Sequence, residues 1–135
     1  MNERLIDLFK QDRYAARTGI ELLEASEGHA KARLNVTEDH HNFVKTLHGG
    51  AIFTLADYVF AVASNSHGTV SVAINASISY IKPVFTGILF AEAKEVSLSN
   101  RLANYNVDVT DENGELIANF RGMVYRKRES LIQEQ

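Results

Sequence analysis

The sequence predicts an α+β fold in which one long, buried helix packs against a strongly twisted antiparallel sheet. From Gly49 to Ser64 the chain reads GGAIFTLADYVFAVAS, apolar nearly all round with Asp57 as its only charge. That run is too long for a typical strand and too apolar for a surface helix, so it reads as a buried one. The segments after it alternate apolar and polar residues between turn signals, and two more strand-like runs precede it. The order helix, two strands, buried helix, four strands sets one helix against a sheet, with no alternation of strands and helices.

Residues 3–16 place Leu5, Ile6, Leu8 and Phe9 at helical spacing, and Gly19 ends the segment, giving an N-terminal helix within 1–18. Strands follow at Ile20–Glu27 and His29–Val36, divided by Gly28. In the second, Ala30, Ala32, Leu34 and Val36 alternate with polar residues, the pattern of a half-buried strand. Residues 37–48, TEDHHNFVKTLH, carry no period and read as a loop. After the buried helix, Val70–Ile81 alternates, with Val72, Ile74, Ala76, Ile78 and Tyr80 expected on one face. Pro83 and Gly87 punctuate the chain before strands at Leu89–Val96 and Leu102–Thr110. The Asn113-Gly114 pair marks a hairpin leading to Leu116–Arg126. Residues 127–135 are expected to form a tail, with Arg126, Lys127 and Arg128 as solvated charges.

The chain has 135 residues, which fits one domain over 1–135, and a net charge of −3, which gives no footprint for nucleic acid. It has no cysteine, so disulfide scaffolds, thiolate metal sites and cysteine nucleophiles are excluded. No apolar segment reaches the roughly 20 residues of a spanning helix, so no membrane association and a cytoplasmic location are expected. No GxSxG elbow or HExxH spacing occurs, and neighbouring residues such as Glu38, Asp39, His40 and His41 rarely converge on one ion. No metal is expected.

Two features carry chemistry. His48-Gly49-Gly50 stands immediately before the buried run, where free N–H groups and the helix dipole suit a developing oxyanion. Asp57 is either a structural pin or a desolvated, reactive carboxylate. Eight residues separate Gly49 from Asp57, about 12 Å on one helix. A donor and a base acting on one carbonyl must both lie within reach of it. If both are catalytic, the site is shared between two chains.

The stretch from Asn42 through His48-Gly49-Gly50 to Leu55-Ala56-Asp57 resembles the hotdog-fold acyl-CoA thioesterases, most closely the phenylacetic acid degradation type. The similarity continues through Asn65-Ser66-x-Gly68, Ser79–Pro83 and GELIANFRGMVYR. The resemblance implies a hotdog fold, a homodimer or homotetramer, and hydrolysis of an acyl-CoA, expected to be aryl- or arylacetyl-CoA. It assigns Asp57 as base or nucleophile and the Gly49 N–H of the other subunit as carbonyl donor, with Asn42 and His48 lining or supporting the site. Gly50, Asn75 and Lys82 are expected to contact substrate, Lys82 as one candidate, with Lys94 and Arg101, for the coenzyme A phosphates. Coenzyme A is part of the substrate, and no separate cofactor is expected. Two departures stand out: Val44 where relatives often have glycine, and Ala73 where some carry a serine. Alternative readings are a hotdog hydratase or dehydratase, which pairs its carboxylate with a histidine, and a non-catalytic acyl-CoA-binding module.

Overall fold

The structure, a computed structural model, describes residues 1–132. Two short helices, α1 (Glu3–Phe9) and α2 (Arg13–Thr18), lead into strands β1 (Ile20–Ser26) and β2 (His29–Asn35). After one 3-10 turn at Glu38–His40 comes the 17-residue helix α3 (Gly49–Asn65). Strands β3 (Thr69–Tyr80), β4 (Ile88–Leu98), β5 (Leu102–Thr110) and β6 (Leu116–Ser130) complete an antiparallel sheet in the order β1-β2-β4-β5-β6-β3. The α+β expectation holds, with α3 against six strands.

Small residues on the inner face of strands β2, β4 and β5 let the helix approach the sheet. Ala30 and Ala32 of β2, Ala91 and Ala93 of β4 and Ala103 of β5 are all wholly buried. Over them lie Leu55, Val59, Phe60 and Val62 of α3. Each such large side chain contributes roughly 1.5–3 kcal/mol when fully buried. The closest approach is at Gly122 of β6, where an added Cβ would stand 2.5 Å from the Phe60 ring. Phe60 is fixed there by Tyr105 at 5.8 Å and Phe120 at 5.3 Å between ring centroids.

Three expectations are corrected. The N-terminal helix is two helices, because Asp12 takes an extended backbone and its carboxylate accepts from the Ala15 N–H at 2.9 Å, starting α2 afresh. The tail expected from 127 onward is strand through Ser130, which pairs with Thr69, and the Leu131 N–H donates to the Gly68 carbonyl. Arg126 is accordingly no solvated charge: its guanidinium donates to the Ser99 carbonyl and is half-buried. The alternation of β3 is broken by a bulge between Ala73 and Asn75. Ala76 opposes Gly122 on the helix side, but Val72 opposes the exposed Tyr125, so Val72 and Ala76 do not share a face. The last three residues of the expected tail lie outside the described residues.

Candidate active site

The fold places Asp57 on the one stripe of α3 that the sheet does not cover. Gly50, Thr54, Asp57, Ala61 and Asn65 follow one another at helical spacing, and none of them is fully buried. Asp57 is half-buried, and among the described residues its carboxylate has no hydrogen-bond partner. Desolvation by burial, and secondarily the negative charge of Asp12, holds its pKa above the usual carboxylate value. A structural pin would be bonded to something. This carboxylate is left unspent.

Gly49 and Gly50 occupy the first turn of α3, and each is small for a stated reason. A Cβ on Gly49 would meet the Tyr80 ring at 3.2 Å, and the Tyr80 hydroxyl donates to the Gly49 carbonyl at 3.1 Å. A Cβ on Gly50 would stand 2.8 Å from Nδ1 of His48, which folds back as the cap of α3 and accepts from the Gly50 N–H at 2.7 Å. The Gly50 donor is therefore consumed, while the Gly49 N–H has no partner among the described residues. Gly49 is the free donor at this helix start. His48 orients the turn and leaves its Nε2 available. Nine residues, about 13 Å of helix rise, separate it from Asp57, so within one chain the two do not form the His–carboxylate pair of a hydratase.

Asn42 acts on the loop that feeds the turn. Its Oδ1 accepts from the Val44 and Thr46 N–H groups at 3.0 and 3.2 Å, and its Nδ2 donates to the Thr46 hydroxyl. The tight turn puts Lys45, not Val44, at a positive φ of 65°, which explains how a β-branched residue is tolerated at 44. The histidines of this segment are spent separately. His40 bonds the Thr18 carbonyl and His41 the Phe85 carbonyl, and no metal-binding group of His, Asp and Glu forms among the described residues.

The model of the thioesterase superfamily matches residues 44–118. The chain belongs to the thioesterase superfamily. A protein of Archaeoglobus fulgidus named "Putative esterase" is 44% identical over 96% of this chain and 85% of its own. The acyl-coenzyme A thioesterase PaaI of Escherichia coli is 32% identical over 88% of this chain and 86% of its own. The solved structure of the E. coli PaaI protein from the phenylacetic acid degradation operon superposes with a TM-score of 0.90 at 29% identity, covering 95% of this chain and 94% of that one. The protein is thus a hotdog-fold thioesterase of the PaaI type.

Two expected substrate contacts of this thioesterase lie away from Asp57 of the same chain. Asn75 opposes Met123 and, with Ser77 and Arg121, lines a hollow on the outer face of the sheet, away from α3. The bulge at Ile74 decides this, because it sets Ala73, opposite buried Val124, on the helix side instead. Lys82 lies on the exposed loop after β3 and pairs with Glu115 at 2.7 Å, which raises its pKa. Lys94 lies 3.8 Å from Glu92, and Arg101 donates to the Arg126 carbonyl. Phe60 is core, and Tyr58 is buried with its hydroxyl on the Phe9 carbonyl, whereas Phe43 is 97% exposed. Sequence reasoning missed Tyr80, Asp12 and a polar cleft of about 400 Å³ beside Gly50 that Arg17, His41 and His48 line. The alternating position of Tyr80 reads as ordinary strand, and only the fold brings it onto Gly49.

Proposed function

We propose that this thioesterase hydrolyses an acyl-CoA, with an aryl or arylacetyl acyl group, to the free acid and coenzyme A at a site shared between two chains. The observation that carries this reading is a desolvated carboxylate and an unpartnered helix N–H standing eight residues apart on α3. The separation, about 12 Å, supports pairing Asp57 of one chain with Gly49 of a second at each thioester. The Gly49 N–H receives the carbonyl oxygen as it becomes an oxyanion. Asp57 takes the proton of the attacking water, the C–S bond breaks, and that proton passes to the departing sulfur. If Asp57 attacks the carbonyl carbon itself, the same donor serves, and water then hydrolyses the anhydride. Single-turnover hydrolysis in ¹⁸O-water identifies the nucleophile route when label is recovered in Asp57, since it enters there only if water attacks the aspartyl carbonyl of the anhydride.

A second copy is also supported from the sheet. β3 is an edge strand of 12 residues with Ile74 53% and Tyr80 52% exposed, a long unpaired edge of the kind that soluble proteins cover. Tyr80 touches Gly49, so a chain lying along β3 lies against the donor. We assign a homodimer or homotetramer on this ground. The aryl assignment is supported by the E. coli neighbour's origin in the phenylacetic acid degradation operon. The polar cleft with Arg17 beside Gly50 supports a place for the coenzyme A portion. The test is thiol release from acetyl-, hexanoyl-, benzoyl- and phenylacetyl-CoA by the native protein and by Asp57→Asn. The native protein is expected to release thiol fastest from an aryl substrate, and the near-isosteric amide to lower kcat at least about 100-fold. Native-like turnover by Asp57→Asn reduces the carboxylate to a structural role and overturns the mechanism.

A further inference from the structure

Helix α1 and the α1–α2 joint precede the segment that the superfamily model matches, yet they form one wall of an apolar cavity that starts on α3 at the residue after Asp57. A groove of about 450 Å³ runs between the end of α1, the outer stripe of α3 and the C-terminal segment. Leu8 and Phe9 form one wall, Tyr58, Ala61 and Val62 the other, and Leu131 the end nearest the sheet edge. Its volume is that of a small-molecule site, for which roughly 300–1,000 Å³ is usual. On α3 the groove begins at the residue after Asp57, passes Ala61 and reaches Asn65 two turns on, about 10 Å along the helix. Asn65 is held in place there, its amide donating to the Ala61 carbonyl and accepting from the Ser71 N–H.

We infer that this groove receives the acyl group, and that α1 and the α1–α2 joint set the size of acyl group the enzyme accepts. The inference rests on the thioesterase reading of Asp57 given above. A thioester carbonyl at Asp57 has its alkyl or aryl side facing along the helix into apolar walls, and the desolvated chain is stabilised there in proportion to the area it covers. The joint is firmly placed: the Tyr58 hydroxyl donates to the Phe9 carbonyl at 2.8 Å, and Leu5 and Phe9 are buried. Leu8, by contrast, is only half-buried and presents its side chain to the groove. The groove also holds an acid, Asp12, close enough to Asp57 to act on it. An acid on the wall of an apolar groove selects uncharged acyl groups and rejects those ending in a carboxylate, which would be buried beside like charge with no cation among the lining residues to meet it.

The experiment compares kcat/KM for phenylacetyl- or decanoyl-CoA with that for acetyl-CoA in the native protein, Ala61→Leu and Leu8→Ala, each checked for native circular dichroism and oligomeric mass. Since one methylene more or less in an apolar pocket changes kcat/KM roughly 10–200-fold, Ala61→Leu is expected to lower the large-to-small ratio at least about tenfold. Leu8→Ala is expected to move the optimum to a larger acyl group. Valeryl-CoA is expected to exceed glutaryl-CoA at least about tenfold in the native protein. If the native protein hydrolyses acyl-CoA in an Asp57-dependent way but neither folded variant moves the ratio, the groove is not the acyl site and only this inference falls. If no acyl-CoA is hydrolysed, the thioesterase reading falls, and binding of the non-hydrolysable thioether decyl-CoA decides the groove by itself. Weakening by Ala61→Leu of at least about tenfold keeps the groove as an acyl site, and unchanged affinity overturns it.

Discussion

Asp57 bears its charge at the expense of stability, and this is the clearest statement the molecule makes at the scale of one residue. Its folded-state pKa lies above the ordinary value because burial, and then Asp12, disfavour the ionised form. The folded chain therefore holds this proton more tightly than the unfolded chain. Stability falls as pH rises through the unfolded and then the folded pKa, so at neutral pH the ionised group opposes folding. Asp57→Asn is accordingly expected to raise Tm at pH 7 while abolishing turnover, with the gain in Tm vanishing at acid pH; calorimetry at both pH values checks it. Asp12→Asn gives a cleaner charge test, because asparagine caps a helix about as well as aspartate and α2 keeps its start. Removing that negative charge lowers the Asp57 pKa, and the acid limb of kcat/KM is expected to move to lower pH with the plateau retained. A limb that does not move disconnects the two acids. Asp57 was legible in the sequence because a lone charge in an apolar run has few explanations. The Lys82–Glu115 pair was not, because its partner lies 33 residues away on the loop before β6.

At the scale of the element, the boundaries that sequence reasoning found are those fixed by local chemistry. The buried helix α3 begins at the glycine pair and ends within a residue of its apolar run, and β5 matches Leu102–Thr110 as expected. Elements whose limits depend on partners were misjudged. β6 continues past its last apolar residue only because β3 lies alongside, and the β3 bulge leaves no mark in an alternating sequence. The break between α1 and α2 was legible in principle, since Asp12 before Arg13-Tyr14-Ala15 is an N-cap signal. The contact that registers α3 on the sheet lies in neither element's pattern: it is Gly122 making room for Phe60. Gly122→Ala forces a Cβ to within 2.5 Å of a ring that Tyr105 and Phe120 hold from either side. Overpacking of this kind typically costs about 1–3 kcal/mol, read as a lower urea midpoint at unchanged slope. A midpoint equal to the native one means that α3 rides further from the sheet than the close contact implies.

At the scale of the whole molecule, the geometry of one helix bears on the number of chains. Gly49 and Asp57 share α3 and stand about 12 Å apart along it, so the proposed shared site demands a second copy, and complementation tests that directly. An Asp57→Ala chain keeps its donor, and a Gly49→Pro chain keeps its acid while losing its N–H. Proline suits the first helical position, and His48 before it already has an extended backbone with ψ of 133°, as a residue preceding proline prefers. The new Cβ meets Tyr80 at 3.2 Å, but that ring is half-exposed and can swing outward. Each mutant homodimer is expected to be nearly inactive. In a mixed dimer the two faults fall on the same site, which leaves the other site with both groups intact. Random exchange of subunits makes about half the dimers mixed, and two-fold symmetry gives each of these one working site. Activity of the mixture is therefore expected to return to about a quarter of native, at the native substrate preference. If exchange is demonstrated by mass spectrometry and no activity returns, then donor and acid do not come from different chains, or one of them takes no part in the reaction.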